Sequence, residues 1–220
     1  QDIKRLLAYS SVENVGLIAI GLGLGMIGRS YDMPALAALG FSGALLHLLN
    51  HALFKGVLFL GAGAIAHETG TRQIDRLGGL LKRMPITGAC VLAGSAAITA
   101  LPPFNGFAGE FLLYLASFRG VMALHGARGV LPLAAVVGLA LSGGLAAACF
   151  LRLCGLTLLR LPRGEAAATA REPATAMCVS MVVLAALCLL LGLAPGLPLL
   201  IVGPAASTTA AGAAPAGALV

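Results

Sequence analysis

The chain has 220 residues, 59% of them hydrophobic and only 10% charged, with a mean hydropathy of +0.99 and a formal net charge of +6. An average soluble domain carries about 25% charged residues, so this chain cannot clothe a globular surface, and it is far too apolar for disorder. Its apolar stretches lack the alternation of a lipid-facing barrel, which leaves an all-α, polytopic transmembrane helix bundle, because helices satisfy every backbone group inside a bilayer. The 14 Lys and Arg stand mostly at segment ends, as topology anchors do; with no Trp and few aromatics, nothing points to nucleic acid. Cys90, Cys149, Cys154, Cys178 and Cys188 lie in apolar stretches without ligand spacing and read as small buried hydrophobes.

A helical crossing needs about 20 apolar residues. In chain order the expected spans are 6–28, 35–66 and 85–101, a broken pair 104–119/130–159, and 174–193, followed by an Ala/Gly-rich tail at 201–220. Residues 1–200 then form one transmembrane domain. Polar, basic segments at 67–84 and 160–173 separate the spans. Pro102-Pro103 breaks the chain, and 104–119 is short for a full crossing. If 104–119 and 130–159 cross separately, the two basic loops fall on opposite faces. If they share one discontinuous crossing, Lys4-Arg5, 67–84 and 160–173 lie on one face. Basic loops gather on the cytoplasmic side, which favours the discontinuous crossing, with 119–129 as an irregular, functional segment at membrane depth.

Apart from Arg152, which can snorkel toward an interface and is given no role, five ionisable side chains fall inside spans, where each costs about 2.5–3.5 kcal/mol or more: Glu13, His47, His51, Lys55 and Glu110. His47, His51 and Lys55 are spaced i, i+4, i+8 and line one helix stripe about 12 Å long. Neutral His both donates and accepts, so it can hand a proton along a chain. A Lys held out of water can release its proton when a neighbouring charge changes. The stripe is expected to face a wet bundle interior. HxxxH lacks a third ligand, so no metal is expected. Glu110 follows the Pro-Pro break on a half-helix; it reads as a relay group that ends the path nearer the membrane surface, or as a static partner of Arg119. Glu13 reads as a relay group or a structural partner of Lys55.

Ordered motifs add a resemblance. Asp2-Ile3-Lys4-Arg5-Leu6-Leu7-Ala8-Tyr9-Ser10-Ser11 resembles the start of a middle helix of the antiporter-like proton-pumping subunits found in respiratory complex I, Mrp-type antiporters and membrane-bound hydrogenases. The stretch from His47 to Leu60 resembles their histidine–lysine helix, and Leu101 to Phe111 the start of their second discontinuous helix. Ser11-Val12-Glu13-Asn14-Val15-Gly16 and the stretch from Leu77 to Pro85 are most similar to the hydrogenase-4/formate hydrogenlyase branch. The likeness is dense to about residue 120 and loose beyond.

The resemblance implies two inverted five-helix repeats, of which this chain holds the second. It opens on Gln1 without an initiator Met and is expected to be the later part of a longer polypeptide. His47, His51 and Lys55 match the family's central relay, and Glu110 falls where members carry Lys or Glu. The implied function is a proton-translocating membrane subunit of a hydrogenase-type or complex I-like oxidoreductase complex. The alternative is an Mrp-type cation/proton antiporter subunit, moving Na+ as well as protons. No catalytic centre and no cofactor are expected here; nickel, iron–sulfur and quinone chemistry would sit on partners, namely other membrane subunits and a soluble hydrogenase or dehydrogenase module. The implied location is a prokaryotic cytoplasmic (inner) membrane.

Overall fold

Asp2 starts the first helix: its carboxylate accepts the backbone N–H groups of Lys4 and Arg5, donors that no helical turn can satisfy. The computed structural model describes residues 1–211. Two long helices come first, α1 (Ile3–Ser30) and α2 (Pro34–Thr69). A single-turn α3 (Leu80–Arg83), α4 (Pro85–Ile98), α5 (Asn105–Ala123) and α6 (Val130–Cys154) follow, then a short α7 (Glu165–Thr169), α8 (Thr175–Leu193) and α9 (Gly196–Ala211). Pro34 and Pro85 each open a helix where a missing N–H costs nothing. Among the described residues the only β pairing is one isolated bridge, Asp2 to Gln73. Four segments are long and apolar enough to cross a membrane: α1, α2, residues 126–159 and α8. The expected tail begins inside α9, and its residues 212–220 lie outside the described residues.

α2 is the axis of the bundle. Its 36 residues span about 54 Å at 1.5 Å per residue, and α1, α4, α5, α8 and α9 all lie against it. α1 comes so close that a β-carbon on Gly28 would strike the backbone of Ala37, and one on Gly40 would strike the backbone of Gly25. Small residues let membrane helices meet backbone to backbone, where dispersion rather than water expulsion holds them together.

The interrupted crossing is α4 followed by α5. Along α2, Val91 meets Gly61 and Gly94 meets Leu58; then Asn105 meets Asn50, Gly109 meets His47, and Leu113 meets Gly43. The two helices thus run in line down one side of α2, broken over residues 99–104, where Ala100 has a positive φ of 52°. α6 instead returns beside α5, with Pro132 against Gly120 and Leu139 against Leu113. This corrects the expected pairing of 104–119 with 130–159. α4 has 14 residues, about 21 Å, too short to cross alone, whereas α5 runs on past Arg119 to Ala123. Residues 124–129 are a turn between α5 and α6 rather than an irregular segment inside a crossing. The parity is unchanged, because one interrupted crossing and one full crossing still separate the basic loops.

Those loops meet on one face. Ile3 N–H donates to Arg72 C=O at 2.9 Å, and the tight turn at Gly78-Gly79, both with positive φ, sits directly on the backbone of Arg160 and Leu161. Glu172 ties this cap to the broken crossing. Its carboxylate accepts the N–H groups of Ile86 and Thr87 and the Thr87 hydroxyl, the last at 2.7 Å, so it caps α4, whose own N-cap residue Met84 has no acceptor. Hydrogen bonds to a charged, half-buried group contribute about 1.5–3 kcal/mol. Glu172→Ala is therefore expected to lower the stability of the full-length protein by about that amount, read as thermal unfolding in detergent, with faster proteolysis in the 160–174 loop.

Candidate functional site

Four helices bring polar groups into one lane. On α2 the predicted stripe turns inward: His47 and Lys55 are buried and His51 is half-buried, so none of the three faces lipid. α1 presents Ser10 and Asn14 to them, one helical turn apart. Lys55 Nζ donates to Leu7 C=O at 2.7 Å and to Ser10 Oγ. Ser10 Oγ in turn donates to Leu7 C=O, and Asn14 Nδ2 donates to Ser10 C=O at 2.8 Å. His47 Nε2 lies 3.0 Å from Asn14 Oδ1. The lane thus has two hydrogen-bonded pieces, Lys55 with Ser10 Oγ and Asn14 with His47, which meet only at the backbone of Ser10. Phe54, fully buried, stands between the imidazoles, edge-on to both His47 and His51, and Lys55 Nζ lies 5.9 Å from the Phe59 ring centre.

At His47 the lane reaches the interrupted crossing. A β-carbon on Gly109 would sit 3.1 Å from His47 Nδ1, so any larger residue would press α5 a few tenths of an ångström away from His47. The next residue is Glu110, buried, and no hydrogen bond or ion pair reaches its carboxyl among the described residues. Arg119 is therefore not its static partner. Glu110 opens on a cavity of about 490 Å³ that includes Thr99 and Ala100 of the break and Gly143 of α6. It lies at the depth of His47 on α2, not nearer the surface as expected from its place in the sequence. Three buried atoms around this point have no protein partner: His47 Nδ1, His51 Nε2 and Asn105 Oδ1. Such atoms cost about 1–3 kcal/mol each unless an internal water or a proton carrier meets them.

The break itself is held by amides. Asn50 Nδ2 donates to Asn105 C=O at 2.7 Å, and Asn105 Nδ2 donates to Asn50 Oδ1 at 3.2 Å. A β-carbon on Gly106 would strike Ala97 C=O, and one on Gly192 of α8 would strike the backbone of Pro103 and Phe104. Glu13 lies one turn from Ser10 on the side of α1 that meets α6, where its carboxylate accepts from Ser142 Oγ. It makes no ion pair with Lys55 among the described residues; Ser10 stands between their elements. Sequence reasoning singled out the charges and missed Ser142, Asn105 and Gly192. Ser10 and Asn14, at i and i+4 with Leu7 and Leu17 on the same face, were the available signal for the α1 half of the lane. Among the described residues no three His, Cys, Asp or Glu side chains converge on a metal geometry.

A polytopic membrane bundle with an interrupted crossing and a buried titratable lane defines the class. The chain belongs to the family described as "NADH:quinone oxidoreductase/Mrp antiporter, TM", which matches residues 1–131. It is 48% identical over 193 residues to hydrogenase-4 component B of Escherichia coli K12, covering 88% of this chain and 29% of that protein. Formate hydrogenlyase subunit 3 of the same organism is 47% identical over 194 residues, covering 88% of this chain and 32% of the relative. The chain thus spans about a third of the length of these relatives. A membrane chain of respiratory complex I from Thermus thermophilus superposes with a TM-score of 0.73 at 26% identity, over 96% of this chain and 40% of that one.

The amide pair at the break makes a direct expectation. Asn50→Ala and Asn105→Ala should each destabilise the full-length protein. The double substitution should lose less than the sum, with a coupling of about 0.5–3 kcal/mol. Unfolding in mixed micelles of all four variants checks it, and strict additivity would dissolve the pair.

Proposed function

We propose that this chain forms part of a proton-translocating membrane subunit of a hydrogenase-type oxidoreductase complex, with Lys55, His47, His51, Glu110 and Glu13 as its proton-carrying groups. The observation that carries this is a buried polar lane on α1 and α2, with Lys55 on Ser10 Oγ and His47 on Asn14 Oδ1 one helical turn apart, a gap that water can bridge, which continues in space to Gly109-Glu110. Lys55 is the switch. Its ammonium is held by two neutral oxygens rather than a carboxylate, so a change of charge nearby can release its proton. His47 has one ring nitrogen engaged and one free, the arrangement a tautomer exchange needs to accept a proton on one side and give it up on the other. Glu110 receives it at the break, where a cavity gives the carboxyl access to water.

The identity to hydrogenase-4 component B and formate hydrogenlyase subunit 3 supports hydrogenase-type partners: further membrane subunits and a soluble redox module that supplies the driving reaction. The concentration of basic residues on the face built from the N-terminal segment, residues 70–84 and residues 160–174 supports a cytoplasmic orientation for that face in a prokaryotic inner membrane. Purification of the full-length complex should co-isolate a hydrogenase module; a stable assembly containing only cation-antiporter subunits would overturn that assignment.

Lys55→Ala is expected to abolish proton pumping while assembly is retained. Lys55→Arg should do the same, because a guanidinium keeps its proton at accessible pH. Glu110→Gln should also lose pumping, since the amide keeps the shape and carries no exchangeable charge. Proton uptake into inverted vesicles driven by the redox reaction measures all three, and wild-type stoichiometry in the Lys55 pair would remove Lys55 from the path.

A further inference from the structure

By length α8 could cross a membrane alone, yet it stops half-way along the bundle. Down α2, Gly61 packs on Met181 and Gly56 on Leu184. Gly192, in the last turn of α8, then reaches the start of α5, where Asn105 bonds Asn50 near the middle of α2. Ala206 of α9 closes on Ala37 and Phe41, near the start of α2. α8 and α9 therefore run in line from the basic face towards the opposite one, with a gap at Ala194 and Pro195. Pro195 has no N–H to continue the helical ladder. This second gap lies at the depth of the first, and the turn before it touches the break at 99–104. A β-carbon on Gly192 would strike the backbone of Pro103, Phe104 and Asn105. The outer end of α8 is tied to the same crossing, because Glu172, three residues before Thr175, caps α4.

We propose that α8 and α9 form a second interrupted crossing that braces the first, and that Gly192 is a positioning residue for the proton path. It sets the break at 99–104 and, through Asn105, the place of Glu110 five residues on. This rests on the relay proposed above and adds to it a residue outside the titratable lane. The contact is backbone against backbone, with no flexible side chain to give way. A methyl group at 192 has to displace either α8 or the break. Asn105 is held to Asn50, so a displaced break is passed to the first turns of α5, where Gly109-Glu110 runs beside His47. Alanine is otherwise the better helix former, so without this contact the substitution would be harmless.

Three variants of the full complex test the brace. Gly192→Ala adds volume at the contact. Pro195→Ala adds none and lets α8 and α9 join, which lifts the last turn of α8 off the break. Gly196→Ala, beyond the same gap, meets nothing within 4 Å and is the control. Infrared difference spectra report the carboxyl stretch of Glu110, assigned by its loss in Glu110→Gln. That band should shift in Gly192→Ala and Pro195→Ala and stay in place in Gly196→Ala. Protons moved per electron pair should fall several-fold in the first two variants while electron transfer continues. If Gly192→Ala does not assemble, Pro195→Ala decides alone. A wild-type band and stoichiometry in Pro195→Ala, or equal effects of Gly192→Ala and Gly196→Ala, would overturn the brace even where Glu110→Gln abolishes pumping. A shifted band together with normal pumping in Glu110→Gln would instead sink the role of Glu110 and leave the brace standing as architecture.

Discussion

A buried ammonium has to be held by oxygen, and the rest of this bundle is arranged so that α1 can supply it. Lys55 sits buried in the second half of the longest described helix and donates to Leu7 C=O and Ser10 Oγ. Those groups arrive only because α1 lies backbone-close to α2, through Gly25 and Gly28 against Gly40 and Ala37. With neutral acceptors the charge is tolerated rather than locked. A carboxylate at the same place would bind the proton state more firmly and make release costly. The α1–α2 contact is therefore at once a packing device and the setting of the lysine.

The interrupted crossing answers a different constraint. Backbone cannot be left unpaired at membrane depth unless protein or water receives it. Here one side of the break at 99–104 is packed by α8 at Gly192 and tied to α2 by the Asn50–Asn105 amides, while Leu101, Pro102 and Pro103 on its other side are exposed. Interrupting the helix brings the start of α5 to the depth of His47 and sets Glu110 beside a cavity whose outer walls are the exposed Phe107, Phe111 and Phe118. Glu172, reaching from the loop after α6, holds the outer end of the same crossing. The two half-helices are thus pinned at the outer end and at the break.

Much of this was legible in the sequence. The i, i+4, i+8 spacing of His47, His51 and Lys55 set them on one stripe, and the family resemblance rested on motifs that the match over residues 1–131 now supports. The clustering of basic residues predicted a shared face, and the loops do meet there. The partition of the interrupted crossing was not legible. Hydropathy marks apolar runs but not depth, so a 14-residue helix before the Pro-Pro break passed for a whole span and the segment after it for the start of another. Polar groups without charge were the other blind spot. Asn14, Asn105 and Ser142 carry little signal alone, because a hydroxyl or amide in a membrane helix usually bonds its own turn, as Ser117 and Thr157 do here. Only the packing of α1, α5 and α6 around α2 reveals which of them face a titratable neighbour.

The most direct test of the lane uses a residue that cannot itself titrate. Asn14 holds His47 one turn from Ser10, and Asn14→Leu keeps the branched four-heavy-atom shape of the side chain while removing both of its hydrogen bonds, to the Ser10 backbone C=O and to His47. In the full complex reconstituted into vesicles, the number of protons moved per electron pair should fall towards zero in Asn14→Leu while electron transfer continues. An unchanged stoichiometry would contradict a path from Lys55 to His47 through α1.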